Sequence, residues 1–224
     1  MLKSGIDQSA LIDMFAQASA KGSEQLRKTV GDATLAALQG RELSLKNIRG
    51  VLKSVTEAAS AGAAKNIMPG VDVESLLDNA VAGMDAALLK AVQANKAALQ
   101  QLVNQGADLR EKHLKKALGD LDKMEDTFIG ALTKATGSAG EQMNRQWAPV
   151  LEKMRAGGTI SGAQASTTAE QFLAQMQTSV RDSRATGLRA AQTLAESYTA
   201  LVSGVLIGMS DALEQGAAAK ARKK

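Results

Sequence analysis

Few side chains in this sequence could do acid–base chemistry, and His113 is the only histidine among 224 residues. A Ser/His/Asp nucleophile system would have to use it as the base. It lies in residues 110–116 (REKHLKK), a charged run that lacks the apolar residues of a pocket. Di-iron bundles require Glu-x-x-His motifs on two helices, which a single histidine cannot supply. We therefore interpret His113 as part of a solvated helix start.

A cluster of carboxylates follows shortly afterwards and invites a metal-binding interpretation. Its members are Asp120, Asp122, Glu125 and Asp126. On a helix, residues two apart point to different sides, so the cluster does not converge on one ion. Nearby lysines are close enough to pair with it, namely Lys115, Lys116 and Lys123. The pattern favours a solvated charged face, and no metal site is predicted.

Other catalytic and cofactor-binding motifs are missing from the sequence. There is no cysteine, which excludes a disulfide framework, a zinc finger and a thiol nucleophile. Neither a Walker A loop nor a G-x-G-x-x-G fingerprint occurs, so no phosphate-binding or dinucleotide-binding loop is predicted. We expect a protein that is not an enzyme and that has no cofactor.

The net charge of +4 is located at the C-terminus. The last five residues contain four positive side chains, Lys220, Arg222, Lys223 and Lys224, and the remaining chain has 23 basic and 23 acidic residues. We predict that residues 217–224 form a basic flexible tail. Three roles remain open for it: a solubilising end that complements a helix dipole, a contact to nucleic-acid phosphates, or attraction to anionic lipid.

Helical periodicity extends over almost the whole chain, and no run of alternating strand-like residues persists. The sequence predicts an all-α fold: an elongated antiparallel bundle of about five to six helices in one domain, residues 1–216. Its expected parts are a helical hairpin at 9–65, a turn at 66–71, helices within 72–156, a Gly-rich linker at 157–162 and a long helix at 163–216. Within these, 9–39 and 108–136 are expected to be single helices, the first with a weak point at Gly22.

Local signals support several helix ends and one packing position. Ser44 and Asp72 are predicted N-caps, and Pro69 cannot continue the preceding helix. Trp147 is the only tryptophan, and we interpret it as a packing anchor, with an interfacial role as the alternative. Pro149 must be tolerated within a helix or kink it.

The predicted last helix is rich in small residues, from Ala169 to the Gly204-x-x-x-Gly208 pair, which favours close helix–helix contact. Its residues 198–209 are the most apolar stretch of the chain. Only fourteen residues separate the flanking charges of Glu196 and Asp211, short of the roughly 20 that a membrane-spanning helix needs. We interpret this stretch as a core helix buried on most sides. The alternative is an apolar contact patch at the surface or at a membrane, formed by Tyr198, Leu201, Val202, Val205, Leu206 and Ile207.

Two resemblances extend this interpretation. Residues 41–48 (RELSLKNI), 55–63 (VTEAASAGA) and 84–91 (MDAALLKA) resemble an uncharacterised bacterial family of Ala-rich helical proteins. In composition, the cysteine-free, Ala/Gln/Lys-rich helices are similar to those of phasins, which coat polyester storage granules. Residues 217–222 (AAAKAR) are similar to the basic C-termini of some granule proteins. The phasin resemblance implies a protein that binds a hydrophobic surface.

Together these features predict a non-catalytic helical coat or scaffold protein. It would self-associate as a homo-oligomer and bind a hydrophobic surface, such as a storage granule or lipid, through amphipathic helices. The alternative is a helical protein–protein assembly module whose basic tail aids contact to nucleic acid or an anionic membrane. The first residues lack the apolar core of an export signal, so we expect a cytoplasmic protein without a transmembrane segment.

Overall fold

The chain is all-α, as the periodicity predicted. The computed structural model describes residues 8–39, 44–65, 72–104 and 112–182, which contain helices and no strand. The helices in these ranges are α1 (Gln8–Ala20), α2 (Ser23–Leu38), α3 (Leu45–Ala64), α4 (Val73–Asn104), α5 (Lys112–Asp122), α6 (Met124–Thr136), α7 (Glu141–Gly157) and α8 (Ile160–Asp182). The longest, α4, has 32 residues and is therefore about 48 Å long.

Two stretches that were expected to be single helices are each divided into two. The predicted helix 9–39 is interrupted before α2 because Gly22 has a φ of 112°, outside the helical region. The predicted helix 108–136 is interrupted at Lys123, whose ψ of 8° breaks the helical path between α5 and α6. The weak point at Gly22 was visible in the sequence, but nothing around Lys123 indicated a break.

The predicted caps and the tolerated proline are confirmed. The Ser44 hydroxyl accepts a hydrogen bond from the Asn47 amide, and an Asp72 carboxylate oxygen accepts one from the Ser75 amide. Such bonds satisfy amide groups that have no partner inside the first helical turn. Helix α7 continues through Pro149 without ending.

Helices α1 and α3 run in the same direction, which departs from the predicted antiparallel arrangement. The Gln8 side chain hydrogen-bonds to Glu57, and further along both helices Lys65 lies 2.7 Å from Asp13. In these two pairs the residue numbers increase together along both helices. Between antiparallel helices, the residue number would increase along one helix and decrease along the other. The two helices approach closely at Gly62, where a Cβ atom would lie 2.8 Å from the Cβ of Phe15.

The chain from the end of α7 to the start of α8 follows α4. The Lys153 ammonium on α7 lies 2.6 Å from the Asp78 carboxylate, and the Ile160 amide at the start of α8 donates to Asp85. Both pairs are 75 residues apart in sequence, so from Lys153 to Ile160 the chain runs in the same direction as α4. Only Gly158 and Thr159 separate α7 from α8, so the predicted linker 157–162 is a two-residue break.

One apolar core connects all eight of these helices. Its largest fully buried side chains include Trp147, Phe15, Phe128, Phe172, Ile48, Leu52, Leu77, Met84 and Leu88. Helices α2 and α4 meet at two glycines, Gly31 and Gly83, and a Cβ atom on Gly83 would collide with the carbonyl oxygen of Arg27. Close approach of two helices over small residues is thus a feature of the first half of the chain, whereas for the last helix it stays a prediction.

The C-terminal predictions lie outside the described residues. These are the apolar patch (Tyr198, Leu201, Val202, Val205, Leu206, Ile207), the basic tail (Lys220, Arg222, Lys223, Lys224), and the continuation of helix 163–216 beyond Asp182. Among the helices of the described ranges, none has the length and apolarity to cross a bilayer.

Candidate functional site

Asp85 is a buried carboxylate on the core-facing side of α4. It follows the fully buried Met84 and is itself only 8% exposed. Its two oxygens accept hydrogen bonds from the first two amides of α8: Ile160 N to Oδ2 at 3.0 Å and Ser161 N to Oδ1 at 2.9 Å. A carboxylate in this position also faces the positive end of the helix dipole. Asp85 therefore attaches the start of α8 to the middle of α4.

Glu125, from the first turn of α6, completes the attachment from another side. Its Oε1 accepts a hydrogen bond from the Thr159 amide at 2.9 Å. The Thr159 hydroxyl in turn accepts one from the Gly162 amide at 3.0 Å, which is an ordinary N-cap bond. Every amide from Thr159 to Gly162 thus has a partner, and two of the three acceptor side chains come from other helices.

Two glycines allow the Glu125 carboxylate to approach so closely. Gly158 has a φ of +70°, which favours glycine, and a Cβ atom there would lie 2.9 Å from Glu125 Oε1. A Cβ atom on Gly162 would lie 2.7 Å from Glu125 Oε2. Ser161, between them in sequence, is fully buried, and its hydroxyl has no hydrogen-bond partner among the described residues. We term Asp85, Glu125, Thr159, Ser161 and Gly162 the α8 clamp.

The α8 clamp is built for docking a helix. Neither Asp85 nor Glu125 forms an ion pair within the described ranges, so backbone amides and the helix dipole balance their charge. Three of their four oxygens already accept amide hydrogen bonds, which leaves little capacity for a ligand. Elsewhere in the described part of the chain, no group of three metal-ligating side chains comes together.

A family model matches residues 1–215, and its description is a family of unknown function, DUF6781. The chain belongs to this family. No curated protein and no solved structure matches the chain. The resemblance to an uncharacterised family is therefore confirmed, whereas the likeness to phasins stays a prediction.

In this DUF6781 member the predicted acidic cluster is divided between two roles. Asp120 pairs with Lys116 at 3.0 Å, and Asp122 and Asp126 are exposed, as expected for a solvated charged face. Glu125 is the exception, because it turns towards the start of α8 and binds the Thr159 amide. The interpretation of Glu125 as a solvated charge was wrong. The backbone of His113 lies in α5, and its side chain is outside what the structure describes.

Trp147 is a packing anchor, the first of the two roles considered for it. Its side chain is fully buried, and the indole Nε1–H donates a hydrogen bond of 2.9 Å to the Ser60 hydroxyl on α3. That hydroxyl donates to the Thr56 carbonyl oxygen one turn earlier. The indole is thus held by a buried polar chain as well as by apolar contact, and it has no exposed surface for a partner.

Sequence reasoning about this DUF6781 protein missed Asp85. The available signal was its position beside Met84 and between the apolar residues Val81 and Leu88, on a stripe that faces the core. An ionisable residue on a buried helix face almost always has a dedicated partner. The partners could not be named, because they are backbone amides 75 residues later in the chain.

Proposed function

We propose that this protein is a non-catalytic helical scaffold that self-associates and attaches to a hydrophobic surface through residues 183–216. The described residues form a closed body in which nearly all large apolar side chains are buried. The exposed ones within that body are Met14 on α1 and Ile160 and Leu173 on α8, none of them next to another in sequence. A continuous apolar contact must therefore come from another part of the chain, and the most apolar stretch is 198–209.

The closed core of the described residues is the observation that carries this proposal. The large apolar side chains of the described helices already pack against one another in one core, without any contribution from residues 198–209. We therefore propose that the apolar side chains of this stretch are available for contact with something else.

The proposed mechanism is adsorption of an amphipathic segment. Leu201, Val202, Val205, Leu206 and Ile207 would insert into a hydrophobic body such as a polyester granule or a lipid droplet. The basic tail would add attraction to an anionic surface, at about 1 kcal/mol per basic residue near it. We place this activity in the cytoplasm, where such granules lie.

The experiment is flotation of the full-length protein with polyester or triacylglycerol particles in a density gradient. We expect the wild-type protein to float and the double variant Leu201→Gln/Val205→Gln to lose most of its binding. The matched control is Met14→Gln, which replaces an exposed apolar side chain on α1. A wild-type protein that stays at the bottom at every particle load would refute the proposal, as would a double variant that floats like the control.

A second candidate is a helical assembly module in which residues 198–209 pack against another protein. The shortness of this apolar stretch, bounded by the charges of Glu196 and Asp211, supports it, because a few apolar anchors of an amphipathic helix suffice to fill a groove on a partner. The basic tail would then aid contact to nucleic acid or an anionic membrane. Light scattering after gel filtration distinguishes the two, since an assembly module forms an oligomer whose size does not change when particles are added.

A further inference from the structure

Among the side chains that the structure describes, those of α8 contribute little apolar volume of their own to the core. Phe172 is the only large apolar one that is fully buried, accompanied by Ala165, Ala169 and the partly buried Met176. The neighbouring helix α7 buries Trp147, Met143, Val150, Leu151 and Met154. Apolar burial is the main favourable contribution to packing, and the described side chains of α8 supply less of it than those of α7.

Hydrogen bonds at the start of α8 add to this attachment. Asp85 on α4 and Glu125 on α6 accept hydrogen bonds from three consecutive backbone amides of the α8 clamp. These bonds are short-range and directional, so they are lost together when the start of α8 moves away. The buried Ser161 hydroxyl, which lacks a partner among the described residues, would gain water in that event.

A hinge lies directly before the clamp. Gly157 and Gly158 join α7 to α8, and Gly158 has a left-handed φ of +70°. A Cβ atom on Gly157 would have nothing within 4 Å, so the chain around it is uncrowded. Rotation about these two glycines would move α8 without disturbing the packing of α7.

We infer that α8 is a detachable arm: it undocks as a unit about Gly157–Gly158 while α1 to α4, α6 and α7 stay folded, and the α8 clamp sets the population of the open form. Among the described helices α5 packs mainly against α8, so undocking exposes its apolar side chains, and the closed form is therefore the major one. The residues after Asp182 would move with the arm. Its use in presenting them to a surface rests on the proposed function, but the opening itself follows from the contacts of α8.

Thiol labelling of the full-length protein tests this inference, because the chain has no natural cysteine. Ser161→Cys places one buried thiol inside the clamp, and Ala58→Cys places a matched one in the centre of α3, where the side chain is also fully buried. Under native conditions a buried thiol reacts only when its site opens. We expect the thiol at position 161 to react with an aromatic disulfide reagent at least about ten-fold faster than the thiol at position 58.

Weakening the clamp should then increase labelling at one position only. Asp85→Asn retains the shape of the side chain but replaces one amide-accepting oxygen by a donor. We expect it to accelerate labelling at position 161 by about ten-fold or more, and to leave position 58 unchanged. Glu125→Gln is the second variant, with the same direction and a smaller effect, because Glu125 accepts one of the three amide bonds.

Equal labelling rates at the two positions would overturn the inference, because α8 would then open only when the whole domain unfolds. A clamp variant that accelerates both positions equally would do the same. No particle is present in this experiment, so its result is independent of flotation. If the protein floats but the two labelling rates are equal, only the inference of a detachable arm is refuted. If labelling shows a detachable arm but the protein never floats, only the proposed surface function is refuted.

Discussion

Helices α7 and α8 follow each other in the chain and both contact α4, yet they are attached in different ways. Helix α7 places five apolar side chains in the core, distributed over its length, and adds one ion pair at its surface. Of the side chains described in α8, one large apolar group lies in the core, and amides at the start of the helix bind Asp85 and Glu125. Only the two residues Gly158 and Thr159 lie between these two differently attached helices.

The difference concerns how stability is distributed along a chain. Apolar burial adds up residue by residue, so a helix attached in this way is released only when much of the core is lost. Hydrogen bonds concentrated at one end hold a helix firmly until that end opens. A domain can therefore have one global stability and still contain an element that opens at lower free energy. The following predictions test whether α7 and α8 differ in this respect.

The largest effect is expected for Trp147→Ala on α7. The substitution removes a fully buried indole and its hydrogen bond to Ser60, and should lower the free energy of unfolding by about 3–5 kcal/mol. Urea unfolding followed by circular dichroism measures it. The control is Leu173→Ala on α8, at a side chain that is 43% exposed, where we expect a change of no more than about 0.5 kcal/mol.

Thiol labelling of the Trp147→Ala variant at positions 58 and 161 would test the difference between α7 and α8 further. Trp147→Ala should increase labelling at positions 58 and 161 together, because it acts on the core that both depend on. If Trp147→Ala increased labelling at position 161 alone, α7 would itself belong to the mobile part, and the contrast between the two helices would fail.

Replacing one glycine on each helix by alanine should change the stability by a smaller amount, and the two changes should have opposite signs. Gly162→Ala in α8 would place a Cβ atom 2.7 Å from Glu125 Oε2 and should destabilise the protein by about 1–3 kcal/mol, since the clamp must shift. Gly157→Ala, the last residue of α7, meets nothing within 4 Å and should stabilise by up to about 1 kcal/mol, because it restricts the unfolded chain. Thermal unfolding measures both. Equal effects would show that the clamp is not tightly packed.

The smallest effect is expected at the ion pair between α7 and α4. The hydrogen bond from Lys153 to Asp78, and then the negative charge of Asp78, raise the pKa of the Lys153 ammonium above its ordinary value. A raised pKa stabilises the folded state below the unfolded-state pKa of about 10.4, and this contribution is lost as the pH rises through the folded-state pKa. Asp78→Asn should therefore lower the melting temperature slightly at about pH 9, and the difference from wild type should shrink above about pH 11.

The control for this pair is Glu152→Gln, which removes an exposed charge from the adjacent position on α7. Its difference in melting temperature from wild type should not shrink above about pH 11 in the same way. If Asp78→Asn and wild type had the same melting temperature at both pH values, the pair would make no contribution to holding α7, and apolar contact alone would account for its attachment.

Much of the fold was predictable because it depends on local patterns. The stripes of apolar residues identified the helices, and Ser44 and Asp72 identified two N-caps through side chains that act within three residues. Trp147 was correctly interpreted as a packing anchor. The break at Lys123 and the parallel course of α1 and α3 were not predictable, because they follow from contacts between helices that are distant in sequence.

The α8 clamp was less predictable than the fold. Glu125 was grouped with its sequence neighbours as a solvated charge, although its partner Thr159 is 34 residues away. Asp85 was not singled out at all, since the groups it binds are backbone amides, which every residue carries and no motif reveals. The Gly-rich residues 157–162 were predicted to be a linker, and they contain three members of the α8 clamp, Thr159, Ser161 and Gly162.

The sequence by itself determined that this is an all-α protein with one histidine, no cysteine and a net positive charge that comes from its last five residues, because composition and periodicity act locally. Only the tertiary structure decided which carboxylates are buried, and that α7 and α8 are attached to α4 by different means. The physical reason is that a charge becomes an attachment point only when water is excluded and a helix N-terminus is brought to it, and both conditions depend on packing between distant parts of the chain.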